Sequence, residues 1–142
     1  ESYNERDRVR LNPSPSYSLD VPDAVMCDHD EGVTSLWMAT DTLLLQLSST
    51  RRDEGHQVPA EERLADRIRM HENHWTRRDL PCQDAVVDVA AAETLDDEGL
   101  LWLHAYFVWP QLAVYATLSG LPGSVRDATS WARRALDSLA AN

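Results

Sequence analysis

The spacing of apolar and polar positions predicts helices over most of the chain beyond residue 32. A heptad-like recurrence marks residues 34–50, where the repeating positions are Val33, Trp37, Thr40, Leu44 and Leu47. Such spacing is typical of an amphipathic helix. A second helix is expected over residues 59–78, because Pro59 suits a first helical position and Glu61 and Glu62 follow in the first turn.

The second half of the chain predicts two more helices. Residues 95–119 are apolar on nearly all sides of a helical projection, which favours a central helix surrounded by the others. Pro110 should kink it, because proline removes one amide donor. Residues 84–92 are ambiguous between strand and helix, and the alanines that follow favour helix. A last helix is expected over residues 125–140, with a buried stripe of Val125, Ala128, Trp131, Ala132, Ala135, Leu136 and Leu139.

These elements predict an all-α fold, a compact bundle of four to five helices. Proline alternates with serine in "LNPSPSYS", which excludes a helix there. We therefore expect residues 1–32 to form an irregular N-terminal arm and acidic loop, and residues 33–142 to form the helical domain. A chain of 142 residues is long enough for one such core.

The distribution of charged residues indicates which classes of molecule the protein could bind. The net charge is −11, and all thirteen basic residues are arginines. Twelve carboxylates lie within residues 20–50 and 81–110, and neither segment contains an arginine. An acidic field repels nucleic acid and attracts basic protein surfaces. We therefore predict no nucleic-acid binding, and either a basic protein partner or self-association. The acidity could instead serve only to keep the protein in solution.

The sequence favours a non-enzymatic interaction module of the inhibitor or immunity, adaptor, or effector type. Nucleophile motifs and glycine-rich phosphate loops are absent from the sequence. Carboxylates would attract the partner, and tryptophans would anchor it, as aromatic residues do in protein interfaces. The predicted contact residues are Asp28, Asp30, Glu31, Asp96, Asp97, Glu98, Trp102 and Trp109.

The alternative is a small metal-dependent helical enzyme or sensor. In "MHENHW", His71 and His74 lie three residues apart, one fewer than in H-E-x-x-H zinc sites, yet still close enough around a helix for joint ligation. His29 and Asp28, from the loop at residues 27–31, could complete a site for a divalent ion. Otherwise these histidines belong to a helix face, and no cofactor is expected.

Three further expectations concern location, thiols and ligands. The opening "ESYNERDRVR" lacks the apolar run of a secretory signal, and no segment predicts a membrane span. The protein is expected in the cytoplasm or delivered to another cell, not embedded in a membrane. Cys27 and Cys82 are expected to be buried free thiols. A third possibility is a ligand pocket beside the predicted kink at Pro110.

Overall fold

The chain is rich in β-structure, so the prediction of an all-α bundle is wrong. The computed structural model describes residues 8–51 and 58–142, which contain ten strands and three helices. The strands are β1 (Arg8–Ser14), β2 (Tyr17–Pro22), β3 (Met26–Asp30), β4 (Val33–Trp37), β5 (Leu44–Arg51), β6 (Thr76–Arg78), β7 (Asp88–Leu95), β8 (Leu101–Trp109), β9 (Leu112–Gly120) and β10 (Ala140–Ala141). The helices are α1 (Ala60–Arg69), α2 (Pro122–Arg126) and α3 (Trp131–Asp137).

The strands form two antiparallel sheets. β1, β2 and β10 form the smaller sheet, with β2 in the middle. The larger sheet has seven strands in the order β3-β4-β5-β9-β8-β7-β6. One face of the larger sheet, the inner face, packs with the smaller sheet, α2 and α3 around the main hydrophobic core. On the opposite side, the outer face, α1 covers parts of β7 and β8.

The predicted central helix is in fact the β8–β9 hairpin. Trp109 pairs with Leu112, so Pro110 and Gln111 form the turn, where the fixed φ of proline is favourable. Alternate residues of β8 enter the main core, while Tyr106 and Val108 are buried on the other side with α1. A strand buried on both faces is apolar at consecutive positions, as a buried helix is. The pattern at residues 101–118 could therefore not separate the two.

Residues 33–51 also form strands where a helix was predicted. Leu36, Leu45 and Leu47 point into the core at the two-residue spacing of strands. The heptad-like reading combined residues of β4 and β5 with turn residues such as Thr40. The described part of the predicted arm is equally regular, because residues 8–22 form the β1–β2 hairpin and contribute Tyr17, Leu19 and Val21 to the main core.

The helical predictions succeed in part at two places. α1 begins directly after Pro59 and carries Glu61 and Glu62 in its first turn, but it ends at Arg69 rather than near residue 78, and residues 76–78 pair with β7 as a strand. The predicted last helix is divided into α2 and α3, and Ser130 caps α3 by accepting a hydrogen bond from the Arg133 amide. Of the predicted stripe, Ala128 is exposed; the other six residues are buried. No helix in the described parts of the chain is long and apolar enough to cross a membrane.

Candidate functional site

Strand register arranges the outer face in rows. One row runs through Met26, Trp37, Leu44, Ser119, Trp102 and Thr94, each paired with the next across neighbouring strands. The adjacent row runs through Asp28, Ser35, Gln46, Thr117, His104 and Ala92. Beyond α1, most outer-face side chains of β9, β5 and β4 are partly exposed, although Ser119 is buried. The outer face thus presents tryptophans and small polar residues to solvent.

A cavity of about 260 Å³ opens at one end of this face, and we term it the aromatic cleft. The loop between α1 and β6 and the ends of β7 and β8 form its walls. The loop is tied to the sheet, because the Thr94 hydroxyl donates a hydrogen bond of 2.7 Å to the His74 carbonyl oxygen. The lining residues are His71, Asn73, Trp75, Thr94, Asp96, Trp102 and His104.

His104 is the centre of an aromatic cluster in this cleft. Its ring lies edge-on to Trp75, with 4.8 Å between the ring centroids and an interplanar angle of 87°. The His71 and Trp102 rings each lie 6.4 Å from it. On the side facing β9, its Nδ1 shares a hydrogen bond of 2.5 Å with the Tyr115 hydroxyl. These contacts hold the imidazole rigidly between the cleft and the sheet.

The cluster keeps His104 and Tyr115 uncharged at neutral pH. Burial is the main cause that lowers the pKa of His104 to about 4, and electrostatic interactions with His71 and Arg67 lower it further. Burial also raises the pKa of Tyr115 to about 12. The Arg67 guanidinium lies 4.2 Å from the Tyr115 ring centroid and donates to the Tyr106 hydroxyl at 2.9 Å. One guanidinium of the chain therefore already rests on aromatic rings beside the cleft.

Asp96 supplies negative charge at the rim of the cleft. Its carboxylate accepts hydrogen bonds of 2.9 Å from Trp102 Nε1 and from the amides of Glu98 and Leu100. The Trp102 bond, followed by the amide bonds, lowers the pKa of Asp96, so the carboxylate is ionised at neutral pH. In contrast, Nε1 of Trp75 is buried and has no hydrogen-bond partner among the described residues.

The other predicted contact residues divide between surface and core. Asp28, Asp30 and Glu31 are exposed on β3 and its turn to β4, where Glu31 has a φ of 51°. Asp97 and Glu98 are exposed in the β7–β8 turn beside Asp96. β3 and β7 are five strand spacings apart in the sheet, which is roughly 24 Å. Trp109 is only 4% exposed and donates to Asp84, so its side chain is not part of the surface.

The predicted metal ligands do not lie close together in the structure. His71 lies in the aromatic cleft, whereas His74 is exposed and lines a neighbouring cavity. His29 and Asp28 lie on β3, and Nδ1 of His29 is hydrogen bonded to the Thr34 hydroxyl at 2.7 Å. Within residues 8–51 and 58–142, no three histidines, cysteines, aspartates or glutamates lie close enough together to hold a metal ion.

The remaining predictions concern the two cysteines and a ligand pocket beside Pro110. Both cysteines are free thiols, as predicted, but Cys27 is exposed rather than buried, and Cys82 is only partly buried. The ligand pocket expected beside Pro110 required a kinked helix, and Pro110 lies instead in a hairpin turn. The sequence did not single out Trp75 or His104 as residues of this site. A two-residue period from Trp102 through His104 to Tyr106 would have placed these side chains on one face.

Comparison with known proteins supports the fold alone. No protein-family model matches the chain, and no curated protein matches it. A crystal structure from Bacteroides thetaiotaomicron VPI-5482 is similar, with a TM-score of 0.58 at 14% sequence identity. The match covers 89% of this chain but 45% of the other, so this chain spans less than half the length of that protein.

Proposed function

We propose that this protein is an interaction module, rather than an enzyme, and that its outer face binds a basic protein partner. The observation that carries the proposal is the composition of the aromatic cleft. Two tryptophans and a neutral His104 line it, and the ionised Asp96 stands at its rim. Indole faces combined with a carboxylate form an environment that favours a cation. A basic side chain of the partner would enter here.

The energetics favour an arginine or lysine over a neutral side chain. A cation over a tryptophan ring contributes about 0.5–2 kcal/mol, depending on how far it is desolvated. The cleft volume of about 260 Å³ can hold one long side chain. The contact between Arg67 and Tyr115 is an internal example of the same interaction on the same face. Arg67 itself opposes a second cation, so we expect the incoming group to lie toward Trp102 and Asp96.

Exposed carboxylates on both sides of the face would guide the partner. Asp28, Asp30 and Glu31 lie on one side, and Asp97 and Glu98 on the other. Their separation of roughly 24 Å is compatible with a partner that buries an interface of standard size. Charges at the rim of an interface chiefly accelerate association, so binding should weaken as salt is added.

The acidic surface is smaller than the sequence suggests, because several carboxylates have internal partners. Asp20 pairs with Arg8 and Arg10. Asp41 and Asp84 each accept an indole hydrogen bond of 2.9 Å, from Trp131 and Trp109 respectively. The proposal therefore rests on the carboxylates of β3 and of the β7–β8 turn. An inhibitor or immunity-type protein, an adaptor or a delivered effector could each use such a face, in the cytoplasm or in a recipient cell.

A hexa-arginine peptide provides a direct test when titrated into the full chain and followed by calorimetry. We expect saturable binding that Asp96→Asn and Trp102→Ala each weaken about tenfold, a loss of roughly 1.4 kcal/mol. The matched control is Asp23→Asn, an exposed carboxylate between β2 and β3. If Asp96→Asn and Asp23→Asn weaken binding equally and Trp102→Ala does not weaken it, the attraction is merely to net charge. That result, or an absence of binding, contradicts the proposal.

A further inference from the structure

A second cavity, on the inner side of β7, has the opposite electrostatic character. It encloses about 330 Å³, and we term it the arginine cleft. Three arginines converge on it from three elements: Arg78 from β6, Arg126 from α2 and Arg133 from α3. Glu93 of β7 lies among them, and Leu103 and Val125 form an apolar wall. Neither sequence spacing nor net charge predicts this grouping in so acidic a chain.

Glu93 is held by two of the arginines. Arg78 Nε donates to one carboxylate oxygen at 2.5 Å, and Arg126 donates to the other from Nε at 3.1 Å and from Nη2 at 2.7 Å. The Glu93 side chain is only 6% exposed. Burial alone would raise its pKa, but the hydrogen bonds from Arg126 and Arg78 outweigh that effect and lower it. Glu93 is therefore a fixed anion.

Guanidinium groups outnumber carboxylates among the residues that line the cleft. Three guanidinium groups face the carboxylates of Glu93 and Asp79, and Asp127, outside the lining, interacts with Arg133. Arg133 is half-buried, and burial lowers its pKa. A positive charge that has lost part of its water is stabilised by a nearby anion. A monoanion bound in the cleft would lie beside more guanidinium groups than carboxylates.

Hydrogen-bond donors also remain for such an anion. Arg78 donates a hydrogen bond to Glu93 only from Nε, and Arg126 donates from Nε and Nη2. The other nitrogens of these two side chains have no acceptor among the residues that the structure describes. About half of each side chain is exposed, 49% for Arg78 and 52% for Arg126, so an entering ligand can reach them. Guanidinium groups match planar carboxylates with paired hydrogen bonds.

We infer that the arginine cleft binds a small aliphatic carboxylate. The carboxylate would lie against Arg78 and Arg126, and the aliphatic part against Leu103 and Val125. A monoanion fits better than a phosphate dianion, because the carboxylates of Glu93, Asp79 and the nearby Asp127 repel a second negative charge. The inference is independent of the proposed partner surface, since the two clefts lie on opposite faces of the sheet.

The test is a titration of the full chain with butanoate, followed by the methyl NMR signals of leucine and valine. We expect saturable shifts at Leu103 and Val125 with a Kd on the order of 1 mM, which is reasonable for a ligand of roughly six non-hydrogen atoms. Butanamide, which has the same shape without the charge, should produce no saturable shift. Inorganic phosphate should bind more weakly than butanoate.

Variants separate a ligand site from a purely structural ion pair. Arg78→Gln and Arg126→Gln should each weaken butanoate binding at least tenfold, whereas Arg69→Gln, on the exposed side of α1, should not change it. Circular dichroism identifies any variant that fails to fold. Should Arg126→Gln unfold, Arg78→Gln decides the question. Unchanged affinity in folded Arg78→Gln, equal shifts with butanamide, tighter binding of phosphate, or no saturable shift at all would overturn the inference.

Discussion

Asp96 accepts the indole N–H of Trp102 at 2.9 Å, and this bond fixes the aromatic cleft at the end of β8. The same carboxylate accepts the amides of Glu98 and Leu100, which closes the β7–β8 turn. One side chain thus shapes the turn, orients a tryptophan and places a negative charge at the rim. The wall of the cleft and its charge therefore depend on each other.

Two substitutions of Trp102 should separate the ring from its hydrogen bond. Trp102→Phe keeps an aromatic face but loses the N–H donor to Asp96. We expect it to weaken hexa-arginine binding only a few-fold, whereas Trp102→Ala should weaken binding about tenfold, because the cation–π contact is lost with the ring. Calorimetry on both variants checks the order. Equal losses would indicate that the orientation of Asp96, rather than the indole face, determines binding.

Stability should fall as the pH drops from about 6.5 toward 4.5. His104 has a pKa of about 4 in the folded chain, compared with about 6.5 when unfolded. Between these values the unfolded chain binds a proton that the folded chain does not, so unfolding becomes more favourable as the pH falls. The loss should reach about 2–3 kcal/mol at pH 4.5. Urea denaturation at several pH values measures it.

A matched variant identifies the group responsible for that slope. His104→Gln should be nearly flat between pH 6.5 and 4.5, whereas His29→Gln, on exposed β3, should retain the slope of the parent protein. Glu93 adds to the loss chiefly below the ordinary glutamate pKa, because its stabilising contribution disappears as the pH falls from that value through the lowered pKa of the folded state. An unchanged slope in His104→Gln would contradict the assignment.

Glu93→Gln should affect stability and anion binding in opposite directions. It replaces a buried carboxylate that accepts hydrogen bonds from Arg78 and Arg126, so we expect a loss of about 1–3 kcal/mol in the free energy of unfolding. It also removes a negative charge from the arginine cleft, so butanoate should bind several-fold more tightly. Denaturation and the methyl titration measure the two effects. Weaker butanoate binding in a folded variant would argue against an anion site.

Gly120, at the end of β9, should not tolerate a side chain. Its φ is +156°, and a Cβ atom there would lie 3.0 Å from Leu43 Cδ2 and 3.2 Å from the Thr42 carbonyl oxygen. We expect Gly120→Ala to destabilise the chain by about 1–3 kcal/mol. Gly123→Ala is the control, because nothing lies within 4 Å of its added carbon and it falls in α2. Thermal denaturation of both variants should separate them clearly.

Local signals in the sequence predicted the start of one helix but not the fold. Pro59 with the following glutamates located the start of α1, since these preferences depend only on adjacent backbone. The stripe from Trp131 to Leu139 also proved to be buried. The hairpin of β8 and β9 could not be distinguished, because burial on both faces removes the alternation that identifies a strand. The register in which β8 pairs with β9 also cannot be predicted from the local sequence of either strand.

The charge pattern failed for a related reason. Glu93 has no arginine near it in sequence, yet Arg78 and Arg126, 15 and 33 residues away, both bind it. Similarly, Asp41, Asp84 and Asp96 each accept a hydrogen bond from a tryptophan indole N–H. A carboxylate without a cation nearby in sequence is therefore not necessarily free in the fold. The exposed acids of β3 were predictable, because they follow one another in a polar run.

Alternation along β7 and β8 places the two clefts back to back. Glu93 faces the arginine cleft and its neighbour Thr94 faces the aromatic cleft, and Leu103 and His104 are divided in the same way. One peptide bond separates each pair. A ligand that displaces either strand on one side must therefore alter the geometry on the other, and linkage makes any such effect on affinity equal in both directions. Binding of a basic partner on the outer face would then change the affinity for a small carboxylate on the inner face, and the reverse.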